Sequence, residues 1–198
     1  TAKQTVTFDS LKGDGMVFKS GSNMGSASSA NFKTVTFDSI NAGVINIVTS
    51  ETFNSLSLSK TDNAEIVTVS DGDTLVVNGT LTLGEGRFLP TSPSGTSTIN
   101  AKGPITVLAA HDGGSTATTY LCTLLIDGAG DQSFAIPAGA LLNKTTLNNS
   151  LTTISTSGSG TVRWHALFTV QAGTFDGGSV TVDHDGGVTI SGGTYNAT

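Results

Sequence analysis

The feature that most constrains this chain is a duplication near its C-terminal end. Val170-Gln-Ala-Gly-Thr-Phe-Asp176 is echoed by Ile190-Ser-Gly-Gly-Thr-Tyr-Asn196, so that Gly173, Thr174 and Phe175 map onto Gly193, Thr194 and Tyr195 at an offset of 20 residues. Between the copies stand Ser179-Val-Thr-Val182, the turn signal Asp185-Gly-Gly187 and Val188-Thr-Ile190. Short β-branched runs closed by glycine turns, repeating about every 20 residues, are what one coil of a β-solenoid requires. Each coil is a strand–turn–strand unit whose apolar face is covered only by its neighbours.

A second echo lies at the other end. Thr5-Val-Thr-Phe-Asp-Ser10 reappears as Thr34-Val-Thr-Phe-Asp-Ser39, an offset of 29 residues, with Gly21 to Ala30 read as a loop that lengthens the coil. Val6 and Phe8, like Val35 and Phe37, alternate with Thr and Asp, so one face is apolar and the other polar. Val44-Ile-Asn-Ile-Val48, Phe53-Asn-Ser-Leu-Ser-Leu58, Ile66-Val-Thr-Val69, Thr74-Leu-Val-Val77 and Thr80-Leu-Thr-Leu83 continue as strands. Asp71-Gly72 and Asn78-Gly79 mark turns; Asn78-Gly79 also suits a two-residue antiparallel hairpin, the chief rival to parallel coils.

Further on the pattern loosens. Gly84 to Gly103, with Pro90 and Pro93, reads as a surface loop, and Ile105 to Leu108 as strand. Tyr120 to Ile126 is a continuous apolar run expected to be buried on both faces. Asp127 to Gly160 is the least regular stretch, with short strands at Phe134–Ile136 and Leu151–Ile154 and room for one helical turn between Ala138 and Leu147. The fold class expected is all-β, a β-solenoid or parallel β-helix with irregular coils; the alternative is a β-sandwich of jelly-roll type. A single domain spans 1–198, and the 84–104 loop is the one place where it would subdivide.

Composition narrows the functions. Charged residues make up 12% of the chain, about half the usual share. The nine Lys and Arg are scattered and the net charge is −6, which excludes a nucleic-acid footprint. No apolar run approaches the roughly 18 residues of a membrane-spanning helix. The chain opens at Thr1, which suits a processed secreted protein. Cys122 is the only cysteine, so no internal disulfide forms, and its apolar surroundings point to a buried thiol.

Residues with chemical potential are few. Asp183-His184-Asp185 is the most enzyme-like cluster, but neighbours on a strand point to opposite faces and Asp185-Gly-Gly187 reads as a turn. His111-Asp112 before Gly113-Gly114 follows the same logic. Trp164 beside His165 suggests a surface pair for glycans, against one residue facing the core. Asp71 and Asp73, and Asp127 and Asp131, place oxygen ligands near glycine turns where calcium would bind. Plain turn chemistry is the default at both places. Asn78, Asn143, Asn148 and Asn196 each head an Asn-X-Ser/Thr sequon. Phosphate-loop, dinucleotide and zinc spacings are absent.

Thr74-Leu-Val-Val-Asn-Gly-Thr-Leu-Thr-Leu-Gly84, together with the 170–195 duplication, resembles repeats of bacterial and viral extracellular β-helix surface proteins. That class includes adhesin passengers, filamentous surface proteins, polysaccharide lyases and phage tail proteins. The resemblance implies a secreted, cell-surface or virion-surface protein and names no reaction. The expectation is a non-enzymatic structural subunit of an extracellular filament, sheath or surface layer, whose partner is its own kind. A phage head-decoration or tail protein, and a carbohydrate-binding or carbohydrate-active β-helix protein, are the alternatives.

Overall fold

The computed structural model describes residues 17–18, 35–37, 45–47, 50–60, 66–112 and 122–197. The echo at Thr5–Ser10 lies outside them. In chain order the strands are β1 (Val17–Phe18), β2 (Val35–Phe37), β3 (Ile45–Ile47), β4 (Glu51–Phe53), β5 (Leu56–Leu58), β6 (Ile66–Val69), β7 (Thr74–Val77), β8 (Leu81–Leu83), β9 (Arg87–Pro90) and β10 (Thr98–Ala101). Then follow β11 (Ile105–Val107), β12 (Thr123–Ile126), β13 (Phe134–Pro137), β14 (Leu141–Leu142), β15 (Thr145–Ser157), β16 (Thr161–Trp164), β17 (Phe168–Asp176), β18 (Thr181–His184), β19 (Val188–Ile190) and β20 (Thr194–Asn196).

Every strand pair is parallel. The chain is a β-solenoid of about six turns, with no helix among the described residues. One long sheet spans β4 to β19 in the order β4-β7-β10-β12-β15-β17-β19. In the N-terminal half it is flanked by the stacks β1-β3-β6-β9 and β2-β5-β8-β11. In the C-terminal half β14-β16-β18 forms one flank, and β13 and β20 pair with the second halves of β15 and β17.

The duplications are the register itself. Phe168 faces Val188 and Phe175 faces Tyr195, the 20-residue offset read from the sequence. Val17 faces Asn46, the same 29-residue offset as the N-terminal echo. Asn78-Gly79 is a corner between β7 and β8, and the antiparallel hairpin does not form.

Period-2 alternation puts two files of side chains inside the long sheet. Leu75, Ile99, Leu124, Thr145 and Phe168 stand in one, and Phe53, Val77, Ala101, Ile126, Leu147 and Val170 in the other, all buried. Each Leu, Ile or Phe so covered contributes about 1.5–3 kcal/mol. The buried apolar side chains form a single cluster from Ile47 to Val180.

Corners need close approach, and glycine supplies it. A Cβ on Gly79, Gly103, Gly128, Gly173 or Gly193 would collide with a backbone carbonyl one coil below, that of Asn54, Gly79, Lys102, Asn149 or Gly173 respectively. Only a residue without a side chain lets consecutive coils stack at that edge.

Three expectations are corrected. Residues 84–103 are no loop but carry β9 and β10; Pro90 is tolerated because β9 is an edge strand, where no N–H is demanded of it. Of the 120–126 run, residues 120 and 121 lie outside the described residues, and 122–126 are buried on one face only, for Leu125 points outward while Cys122, Leu124 and Ile126 point in. Residues 138–147 hold no helical turn, and 151–154 belong to the 13-residue β15. The irregularity there comes from a bulge between Leu147 and Thr153. Inside that corner a buried polar group replaces the missing ladder: Gln132 Nε2 donates to the Ala101 and Gly103 carbonyls at 2.9 and 2.7 Å. Its Oε1 accepts from Gly128 N and Asn149 Nδ2 at 2.6 and 2.9 Å.

Candidate functional site

The interior files run upward into an aromatic cluster at the C-terminal coils and then meet solvent. Trp164, Phe168 and Phe175 are fully buried. The Trp164 ring stacks on Phe168 at 4.8 Å and on His184 at 4.9 Å, and Phe175 stacks on Tyr195 at 5.0 Å. Strand register places His184 over Trp164 and Tyr195 over Phe175, so two of the three rings of the coil below carry a ring, and Phe168 carries Val188. Val188 and Ile190 continue the two interior files of the long sheet. Each points where the core would be, yet they are 36% and 54% exposed. Among the described residues nothing pairs with the outer edges of β18, β19 and β20. Val188, Ile190, His184 and Tyr195 therefore form an apolar, polar-tipped end surface ringed by unpaired backbone groups.

Electrostatics at this end are local. His184 Nε2 lies 2.7 Å from Tyr195 Oη, and its Nδ1 is buried without a partner. Burial holds the imidazole below its ordinary pKa, with Asp183 opposing, and burial raises the Tyr195 phenol. Asp183 points the other way, pairing with Arg163 Nε at 2.8 Å, and Asp185 meets His165 Nδ1 at 2.7 Å. The Asp183-His184-Asp185 run is thus split between the interior and two surface pairs. Trp164 is fully buried and the His165 side chain is only 14% exposed, so they make no exposed platform for a sugar.

The calcium candidates are engaged by their own chain. Asp71 accepts from Ser92 N and Oγ at 3.2 and 2.5 Å, which lowers its pKa, the Ser92 hydroxyl most of all. Asp73 accepts from Ser50 Oγ at 2.9 Å. Asp127 lies 2.7 Å from Lys102 Nζ. Asp131 accepts from Ser133 N and Oγ at 2.8 and 2.5 Å, which lowers its pKa. Among the described residues no three His, Cys, Asp or Glu side chains come together to hold a metal ion. Of the sequon asparagines, Asn78, Asn148 and Asn196 are exposed, whereas Asn143 is buried with its Nδ2 turned to the Cys122 carbonyl at 3.5 Å.

No family model, curated protein or solved structure matches this chain. The geometry of the open end therefore carries the functional reading. Sequence reasoning located its repeat but not its surface. Val188 and Ile190 read as ordinary strand residues, and only the register shows that they stand at core positions, uncovered among the described residues.

Proposed function

We propose that this protein is a non-enzymatic structural subunit of an extracellular filament, sheath or surface layer, built by coil-on-coil stacking of copies. One observation supports the reading above others: Val188 and Ile190 occupy core positions that no described residue covers, beside strand edges that no described strand pairs. Covering either side chain fully would contribute up to about 1.5–3 kcal/mol, and each added strand would satisfy a row of backbone groups. At the opposite end β1, β2 and β4 each have one parallel partner among the described residues, so the strands there share the same polarity. A parallel contact between unlike ends is heterologous and propagates rather than closing.

Negative-stain electron microscopy of the purified protein, with and without calcium, tests this. Regular filaments are expected, and Ile190→Lys should abolish them by placing a charge in the contact. Monomers at every concentration, or filaments indifferent to I190K, would overturn the reading. Calcium dependence would return Asp71, Asp73, Asp127 and Asp131 to consideration.

A further inference from the structure

Where the three-strand coils ending in β11 hand over to the coil that begins with β12, His111, Cys122 and Asn143 line a cavity of about 10 Å³ together with Leu83, Ile99 and Leu142. This is close to the space that one water needs. Three residues able to hydrogen-bond, lining one cavity among aliphatic side chains, call for an explanation. All three side chains are more than nine-tenths buried. His111 Nδ1 lies 2.7 Å from the Gly84 carbonyl, which can only accept, so Nδ1 carries the hydrogen. Burial keeps the ring neutral and the Cys122 thiol protonated, leaving Nε2 a bare acceptor and Sγ a weak donor. Asn143 Oδ1 is buried with no partner.

We propose that this cavity is a binding site for one water molecule, which donates to Asn143 Oδ1 and to His111 Nε2 and accepts the Cys122 S–H. Three partners are the usual complement of a buried water. An apolar occupant would leave Asn143 Oδ1 orphaned. A cation would have to displace the thiol proton with no third His, Cys, Asp or Glu converging among the described residues. The bound water links the segment after β11, which carries His111, to the residues flanking β12 and β14, at the level where the flanking sheets change over.

An atomic-resolution crystal structure tests the site directly. A single water-strength peak is expected within about 2.7–3.2 Å of Asn143 Oδ1 and of the His111 ring. An empty cavity, or an electron-dense peak bonded to Cys122 Sγ, would overturn the proposal. In solution, magnetic relaxation dispersion of labelled water counts long-lived internal waters. Asn143→Leu, which removes the acceptor and fills the space, should lower the count by one, and an unchanged count would also overturn it. Should N143L fail to fold, the wild-type crystal decides alone.

Discussion

The Nε2 of His184 lies 2.7 Å from the hydroxyl of Tyr195, and this bond ties the last strand of the β14-β16-β18 flank to the last strand of the solenoid. Because His184 Nδ1 is already unpartnered, Tyr195→Phe leaves the imidazole with no hydrogen bond at all. The ring of residue 195 keeps its stack on Phe175. A loss of about 1 kcal/mol is expected for Y195F, and about 3 kcal/mol for Y195A, which also forfeits the stack. Urea titrations followed by fluorescence of Trp164, the only tryptophan, would measure both. A Y195F protein as stable as wild type would show that water replaces the bond at no cost.

Acid should weaken the fold through two histidines. Burial lowers the pKa of both His184 and His111 from the ordinary 6.5. The unfolded chain then takes up protons before the folded one as pH falls. Their contribution is intact above about pH 6.5 and declines below it. The urea midpoint should stay level near pH 7–8 and fall steadily from about pH 6.5 towards 5. His184→Gln should flatten that slope. A slope unchanged in both H184Q and H111Q would remove these residues as its cause.

Gly103→Ala should be costly. Its new methyl would meet the Gly79 carbonyl in the coil below, an overpacking that typically costs about 1–3 kcal/mol. Gly130→Ala is the matched control: nothing stands within 4 Å of a Cβ there, so stability should hold or rise slightly. Equal midpoints for the two variants would dispose of the corner argument.

Gln132→Leu keeps the volume and removes four hydrogen bonds. The Ala101 and Gly103 carbonyls lose this donor, Gly128 N loses its acceptor, and Asn149 Nδ2 keeps only its bond to the Gly130 carbonyl. At about 1–3 kcal/mol for each group left unsatisfied, a loss of about 3 kcal/mol or more is expected by urea denaturation. A change below about 1 kcal/mol would mean that solvent reaches this corner.

The parallel solenoid was legible because repetition is a local signal. Phe175 and Tyr195 occupy equivalent places in their repeats, and the backbone pairs them. Residues 84–103 misled because Pro90 reads as a strand breaker, and only sheet position shows that it sits on an edge. The bulge in β15 was invisible for a different reason. What holds it is Gln132, whose partners lie between 4 and 31 residues away, and no window of sequence brings them together. The end surface was half legible: its strands were, but the exposure of Ile190 depends on what lies above it.

Because every strand pair is parallel, the molecule has a direction. No two-fold rotation across its axis can exchange its two ends, so the face that carries exposed Ile190 is not matched by symmetry at the other end. A thread of such units would be an arrow. A molecule that plugs its leading tip would stop growth there and leave the trailing tip untouched, and the two tips would lengthen at different speeds.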